Sequence, residues 1–565
     1  MLQENFIGHR RDTGEEVAFP VVWPNAADAE RTWRWDAEHS PFPLTPLSGE
    51  LSRGMGGAAL AAESLGAAAT APMAGPAANG YPYTEPSGGP RSRTPAYLET
   101  VAALAPRVAE LWDRGWRLEI EARGREIAGF DYDALTASEL VERLDSIAGM
   151  LQENMVLMFR ASHLVSFSRG KLREFCEAYI GRAAESFVTD LLQGTPSLSL
   201  ESGAALWEVA QLLAENAAAF DCLRQRPDRD GLAGLLDVDG GGDFLTRFHN
   251  WLTQYGQRNG SFSELAEPTW LEDPRVAIGL VLQSVGATDP RLGQEKAIRV
   301  REQMQREFEK RLRDPEAIGH FRELLATAEP YLGVRESRDH ATNMALTAAR
   351  VPALALGRRL VERGAIASPT DVFFLRLGEL GAAAGDPTSD LRALVAERRA
   401  VHEYWCNVAP PVTIGASANR AVDQRFVRGI AASGGVAVGT ARVIMTLADA
   451  HALRLGDVLV TRATTPAWTP LFGTAAAVVT EGGGALSHCA ILAREYGIPA
   501  VVGAAGATVR IRDGARVTVD GTKGRVAIDE QGQQSDGSSG QDEAGWAASR
   551  LLRDERGPTG GKTTL

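Results

Sequence analysis

The segment best equipped for chemistry runs Thr480-Glu-Gly-Gly-Gly-Ala-Leu-Ser-His488-Cys-Ala-Ile-Leu-Ala-Arg494. Gly482, Gly483 and Gly484 let backbone N–H groups converge into an anion nest. Ser487 is placed to cap a helix that opens at His488. A helix N-terminus adds free N–H donors and a dipole that favours a phosphoryl group. A neutral imidazole is a competent nucleophile near pH 7. Physically this is a good place for a phosphorylated imidazole. Spacing alone leaves a plainer alternative open, because a histidine at a helix start is often a cap or a packing residue. Arg494 lies six residues further on, well round from the His488 face, so phosphate contact and a structural role both stand for it. Glu495 shares that face and reads as a solvated or domain-docking carboxylate. Cys489 reads as a small packing residue.

The elements that must position this segment are legible. Residues 475–479 read as a buried strand leading into the glycines. Gly497 and Pro499 mark the end of a helix over 488–496. Short β-rich runs at 436–445, 457–461, 476–480, 499–502, 516–519 and 525–528 surround it. They predict a small mixed α/β domain at 429–529. Residues 95–406 are mostly helical in pattern. Thr136-Ala-Ser-Glu139 predicts a capping box, and Leu140, Leu144, Ile147 and Leu151 follow as one helical face. Residues 407–428, with Pro410-Pro411, read as a hinge linker. Residues 1–94 combine a Trp/Pro-rich arm (Trp23, Trp33, Trp35, Phe42) with a Gly/Ala-rich segment, 53–92, that reads as linker or lid. Residues 530–565 have the composition of a disordered tail.

Composition excludes several classes. The net charge of −13 is the wrong sign for a general nucleic-acid or anionic-membrane binder. No run of about 18 apolar residues appears, and the first residues lack a secretory apolar core. Cys176, Cys222, Cys406 and Cys489 form no C-x-x-C pair, so neither a zinc site nor a disulfide framework is expected. A cytoplasmic location is the expectation.

The whole stretch 429–528, including GDVLVTRATTPAWTPLF before the glycines and GIPAVVG after the helix, resembles the mobile phosphohistidine domain of the phosphoenolpyruvate-utilising enzymes. The resemblance implies that His488 carries the phosphoryl group and that Gly482, Gly483, Gly484, Ser487 and Arg494 bind it. Leu486-Ser-His488 is closer to the rifampin phosphotransferase branch than to the dikinases. WLTQYGQRNGSFSELAEPTWLEDP (251–274) resembles a helical segment of the same branch, with Gln257 in place of a histidine. Looser matches are Tyr331-Leu-Gly-Val-Arg335-Glu336 and the stretch 364–375. They imply a multidomain α + α/β protein: a large, mainly helical acceptor-binding domain followed by a small swivelling β/β/α phosphohistidine domain, with no ATP-grasp domain. Arg258, Arg335, Glu336 and His340 are the implied acceptor-binding groups, with interhelical salt bridges as the alternative. Trp35-Asp36-x-x-His39 with Pro41, Pro43 and Pro46 resembles the start of split aryl phosphotransferase subunits. Asp36 and His39 are then expected as base and orienter near an acceptor hydroxyl, or as part of a structural arm. The implied function is the phosphohistidine and acceptor-binding subunit of a two-component, ATP-dependent phosphotransferase. Mg-ATP is expected on a separate ATP-grasp subunit, no metal on this chain, and a small phenol or aryl alcohol as acceptor. The implied alternatives are a rifampin-type antibiotic phosphotransferase component and a non-enzymatic phosphocarrier.

Overall fold

The computed structural model describes residues 2–23, 25–52, 57–68, 74–85, 93–416 and 426–529. The expected tail at 530–565 and the hinge residues 417–425 lie outside them, as do parts of 53–92.

Most of the chain is helical. Its spine is a 44-residue helix, Ala137–Ile180, opened by the expected capping box: the Thr136 hydroxyl accepts from Glu139 N–H and the Glu139 carboxylate accepts from Thr136 N–H. Leu140, Leu144, Ile147 and Leu151 lie on its buried face. They join Leu356, Leu360, Phe373 and Leu380 in the largest core. A second core gathers Trp251, Tyr255, Trp270, Ile278 and Leu206 from helices over 198–284. Phe472, Ala490 and Leu492, from the residues around the glycine segment, pack into that same core.

The C-terminal part is an eight-stranded sheet. Its centre is parallel: Val436–Val443, Val458–Thr461, Ala477–Thr480 and Ala500–Val502 lie side by side. Antiparallel strands flank it at both edges. One face buries Leu459 and Val478 against the helices. The other buries Val460, Val479, Val501, Val517 and Val519 in a separate core. Two buried faces account for the continuous apolar runs that the sequence shows there. Glu481 to Ser487 leave the C-terminal end of the central strand Ala477–Thr480, the usual position for a ligand in such sheets.

The first 94 residues are more structured than an arm. Leu2–Arg10 and Glu16–Trp23 form a hairpin, and Thr32–Trp35 pairs with Tyr81–Thr84. The residues that start the expected hinge are strands as well. Val408–Ala409 adds to the first sheet and Thr413–Gly415 to the second. Pro410 and Pro411 fall between these two short strands, where no ladder N–H is needed. Trp23, Trp33, Trp35, Tyr81, Tyr83, Val408 and Ile414 bury one another in a separate aromatic core. The pattern was obscured because several strands are only two to four residues long and the pairings that complete both sheets, with Val408–Ala409 and Thr413–Gly415, are far away in sequence. No described helix is long and apolar enough to cross a membrane.

Candidate functional site

His488 is the first residue of the helix His488–Tyr496, and Ser487 caps it by accepting from Ala490 N–H at 3.3 Å. Gly483 has φ +94°, a conformation that glycine adopts without strain. Gly482 is needed for another reason: a Cβ there would lie 2.5 Å from the Ala37 Cβ. The glycine loop is therefore clamped by the segment 36–42. Arg462 holds the same segment, donating to the Pro41 carbonyl and stacking on Phe42 at 4.0 Å. A Cβ at Gly484 would meet nothing within 4 Å.

The His488 imidazole is 5% exposed. Its Nδ1 lies 3.3 Å from Thr464 Oγ1. Its Nε2 has no hydrogen-bond partner among the described residues, and the nearest carboxylate oxygen is Glu336 Oε2 at 3.8 Å. Burial, then Arg335 and Arg258, pull the His488 pKa down to about 3. The ring is held neutral, with Nε2 presented as the unengaged atom.

Three of the expected acceptor-side residues converge on this ring. Glu336 is 3% exposed and accepts from Ser199 Oγ. Burial raises its pKa to about 7, against the pull of that hydrogen bond. Arg335 donates to Glu38 at 3.5 Å. Glu38 Oε1 also accepts from the His488 backbone N–H at 3.3 Å. A carboxylate thus occupies part of the anion site at the helix N-terminus. Arg258 is 4% exposed and donates through Nε to the Tyr255 carbonyl at 2.7 Å. Its Nη2 has no partner and the guanidinium meets no carboxylate among the described residues. It sits over the Tyr255 and Trp270 rings instead. Burial lowers its pKa to about 10, still charged at neutral pH. His340 shares a small polar pocket with Arg258, Asn259, Asp339 and Thr465. Burial, then Arg258 and Arg117, lower its pKa to about 3.

Arg494 and the Asp36–His39 pair make other contacts. Arg494 does not reach His488: its guanidinium turns back and donates to the Ala485 carbonyl at 2.9 Å, bracing the glycine loop. Six residues at 100° each carry it round the helix from His488. The Asp36–His39 pair exists, with Nδ1 2.9 Å from Asp36 Oδ1. Burial opposes the imidazolium, and the Asp36 carboxylate overrides it, raising the His39 pKa to about 9. The pair lines a cavity of about 880 Å³. Its walls include Leu44, Leu151, Met158, Phe159, Phe262, Asp339 and His402. Glu38, between Asp36 and His39 in sequence, accepts from the His488 N–H, so the segment that lines the cavity also reaches the start of the His488 helix.

Ser199, Thr464 and Glu38 carried no sequence signal, since isolated Ser, Thr and Glu are common on any surface. Glu495 is buried rather than solvated; it accepts from Gly194 N–H at 2.9 Å, on the helical side. Burial raises its pKa to about 7 from an ordinary 4.5. A carboxyl that keeps its proton only when docked stabilises docking fully at acidic pH and loses that contribution as pH rises through about 7. Glu495→Gln should therefore flatten the fall in melting temperature between pH 5.5 and 8.5 by a few degrees, read by thermal unfolding of both proteins across that range. Identical curves would show that the contact has no such role. Among the described residues, no group of three or more His, Cys, Asp and Glu is arranged to hold a metal ion.

Comparison with known proteins bears on this geometry. Residues 453–524 match the family described as PEP-utilising enzyme, mobile domain, and residues 155–336 match the rifampicin phosphotransferase fourth domain. The rifampicin phosphotransferase of Streptomyces sviceus is 31% identical over 352 residues, 60% of this chain and 40% of that protein. An uncharacterised phosphotransferase of Bacillus subtilis is 29% identical over 422 residues, 71% of this chain and 50% of that protein. The chondramide synthase of Chondromyces crocatus is 30% identical over 555 residues, 90% of this chain and 14% of that protein. The chain spans half or less of the length of each of these relatives.

Proposed function

The chain carries a PEP-utilising mobile domain and is related to the rifampicin phosphotransferases, and from that premise we propose that it transfers a phosphoryl group from ATP, by way of His488, to a hydroxyl of a small molecule. The observation that carries this reading is the buried, neutral imidazole at a glycine-loop helix N-terminus, with an unengaged Nε2 facing Glu336 and the cations Arg258 and Arg335 close by.

In the proposed cycle an ATP-grasp module on a separate subunit, with Mg-ATP bound there, places a phosphoryl group on Nε2 and leaves AMP and phosphate. His488 is 5% exposed where it stands, so charging requires the sheet domain to leave this position. The domain returns charged, and the docked geometry presents phosphorus to the helical side. The reaction depends on position and on charge compensation by cations. Arg258 and Arg335 supply that charge from this chain.

The cavity bears on the acceptor. A cavity of about 150 Å³ is enough for benzene. The space beside His39 is about 880 Å³, within the range of sites for drug-sized ligands. Its size supports a large hydroxyl compound, the rifampin-type reading, over a small phenol. The aromatic edge of Phe262 and the apolar wall of Leu151, Met158 and Phe159 keep an aryl alcohol as the second reading.

The test is transfer of label from ATP labelled at the β position, with an ATP-grasp partner, first to the chain and then to rifampicin or p-cresol. Acid-labile, base-stable label that moves to one of them supports the reading. Failure of the wild-type chain to take up label with any partner would exclude it.

A further inference from the structure

Resting on that proposed function, we infer that Glu336 is the second-stage base: its Oε2 takes the proton of the acceptor hydroxyl as phosphorus leaves His488.

The reaction needs a proton acceptor near phosphorus. The leaving imidazole is a poor one, because burial and two arginines hold its protonated form down to a pKa of about 3. His39 is engaged through Nδ1 by the Asp36 carboxylate at 2.9 Å, and among the described residues no hydrogen bond joins it to the His488 ring. Glu336 Oε2 lies 3.8 Å from Nε2, the unengaged atom, so a group bonded to Nε2 would stand against this carboxylate. Ser199 donates to the same oxygen and fixes the direction of the carboxylate. The groups facing it are Arg335 and Asp339 from its own helix, Glu38 from the N-terminal segment, Ser199 from the helix Leu198–Ala214, and His488. Its pKa of about 7 suits a group that must be ionised before transfer and protonated after it.

The step balances. The acceptor oxygen bonds to phosphorus as the Nε2–P bond breaks. The bonding pair returns to Nε2, and the ring leaves neutral, with its proton on Nδ1 beside Thr464. The hydroxyl proton passes to Glu336, and solvent removes it when the domain departs.

The experiment starts from chain already charged on His488 by phosphoramidate, which needs no nucleotide subunit. Loss of phosphohistidine is then timed with water as the sole acceptor and with rifampicin or p-cresol added. For Glu336→Gln the charged species should last about 100-fold longer with any acceptor that draws the phosphoryl group from the wild type. The wild-type rate should rise with pH through about 7, and the variant's should not. Glu336→Asp, which keeps a carboxylate, should recover part of the rate and the pH dependence. Equal lifetimes in Glu336→Gln and wild type, or an unchanged pH profile in the variant, would overturn the assignment while leaving the proposed function intact. A wild-type chain that takes no phosphoryl group on His488 overturns both.

Discussion

His488→Ala should take no acid-labile label from ATP in the presence of a nucleotide-binding partner, and transfer to any acceptor should fall by at least about 1,000-fold. The covalent route splits one transfer into two, and both halves use the same nitrogen. No described neighbour can replace it. Cys489 is 3% exposed, and burial pushes its thiol up to about 12, so it presents no thiolate. His340, in the pocket beside Arg258, is a separate neutral ring on the helical side. The substitution should leave the fold in place, because among the described residues the ring's only hydrogen-bonding neighbour is Thr464, at 3.3 Å. His488→Gln, closer in size, serves as a second variant. Label uptake by either protein, with a melting temperature near the wild-type value, would show that the phosphoryl group rests elsewhere.

Arg258→Met should lower transfer by about 100- to 1,000-fold and yet leave the melting temperature unchanged or higher. The two effects have one cause. Arg258 is a desolvated charge that, among the described residues, meets no carboxylate and is compensated by one carbonyl and two aromatic faces. Replacing even a paired buried charge and its partner with apolar residues of similar volume is often neutral or stabilising by about 1–4 kcal/mol, and here there is no ion pair to lose. On the proposed reading, Nη2, which has no partner among the described residues, is the donor that a phosphoryl group on His488 would engage. Thermal unfolding and label transfer on the same preparation separate the possibilities. A lower melting temperature with transfer intact would make Arg258 a structural residue. A gain in stability with transfer lost would place it at the phosphoryl group.

Both variants start from residues that the sequence had already singled out, but they were legible to different degrees. His488 could be found because its partners are local. Three glycines, a cap and a helix stop lie within 17 residues of Gly482, and each has a backbone reason to be there. The helix Ala137–Ile180 and the strands of the sheet domain were legible for the same reason, since a capping box, a 3.6-residue period and turn-bounded β runs are local patterns. Arg258 could be named but its state could not. Whether a buried arginine finds a carboxylate depends on what packs against it, and here Tyr255 and Trp270 do. Arg494 and His39 mark the opposite case. Their types suited phosphate binding and base chemistry, and the fold gives one a carbonyl to hold and the other a carboxylate partner.

The sequence by itself determined a histidine at the end of a strand–loop–helix unit, attached to a large helical body. Those are consequences of spacing within about twenty residues, where the chain's own geometry fixes which groups can meet. Only the tertiary structure decided what faces the imidazole. Glu38, Ser199, Glu336 and Thr464 come from positions as far as 450 residues away, and no local pattern relates them. It also decided that 408–415 complete the N-terminal sheets, because strand pairing is set by distant partners rather than by the strand alone. Burial supplied the rest: the same imidazole, carboxyl and guanidinium take charge states in the packed interior that their types alone do not specify.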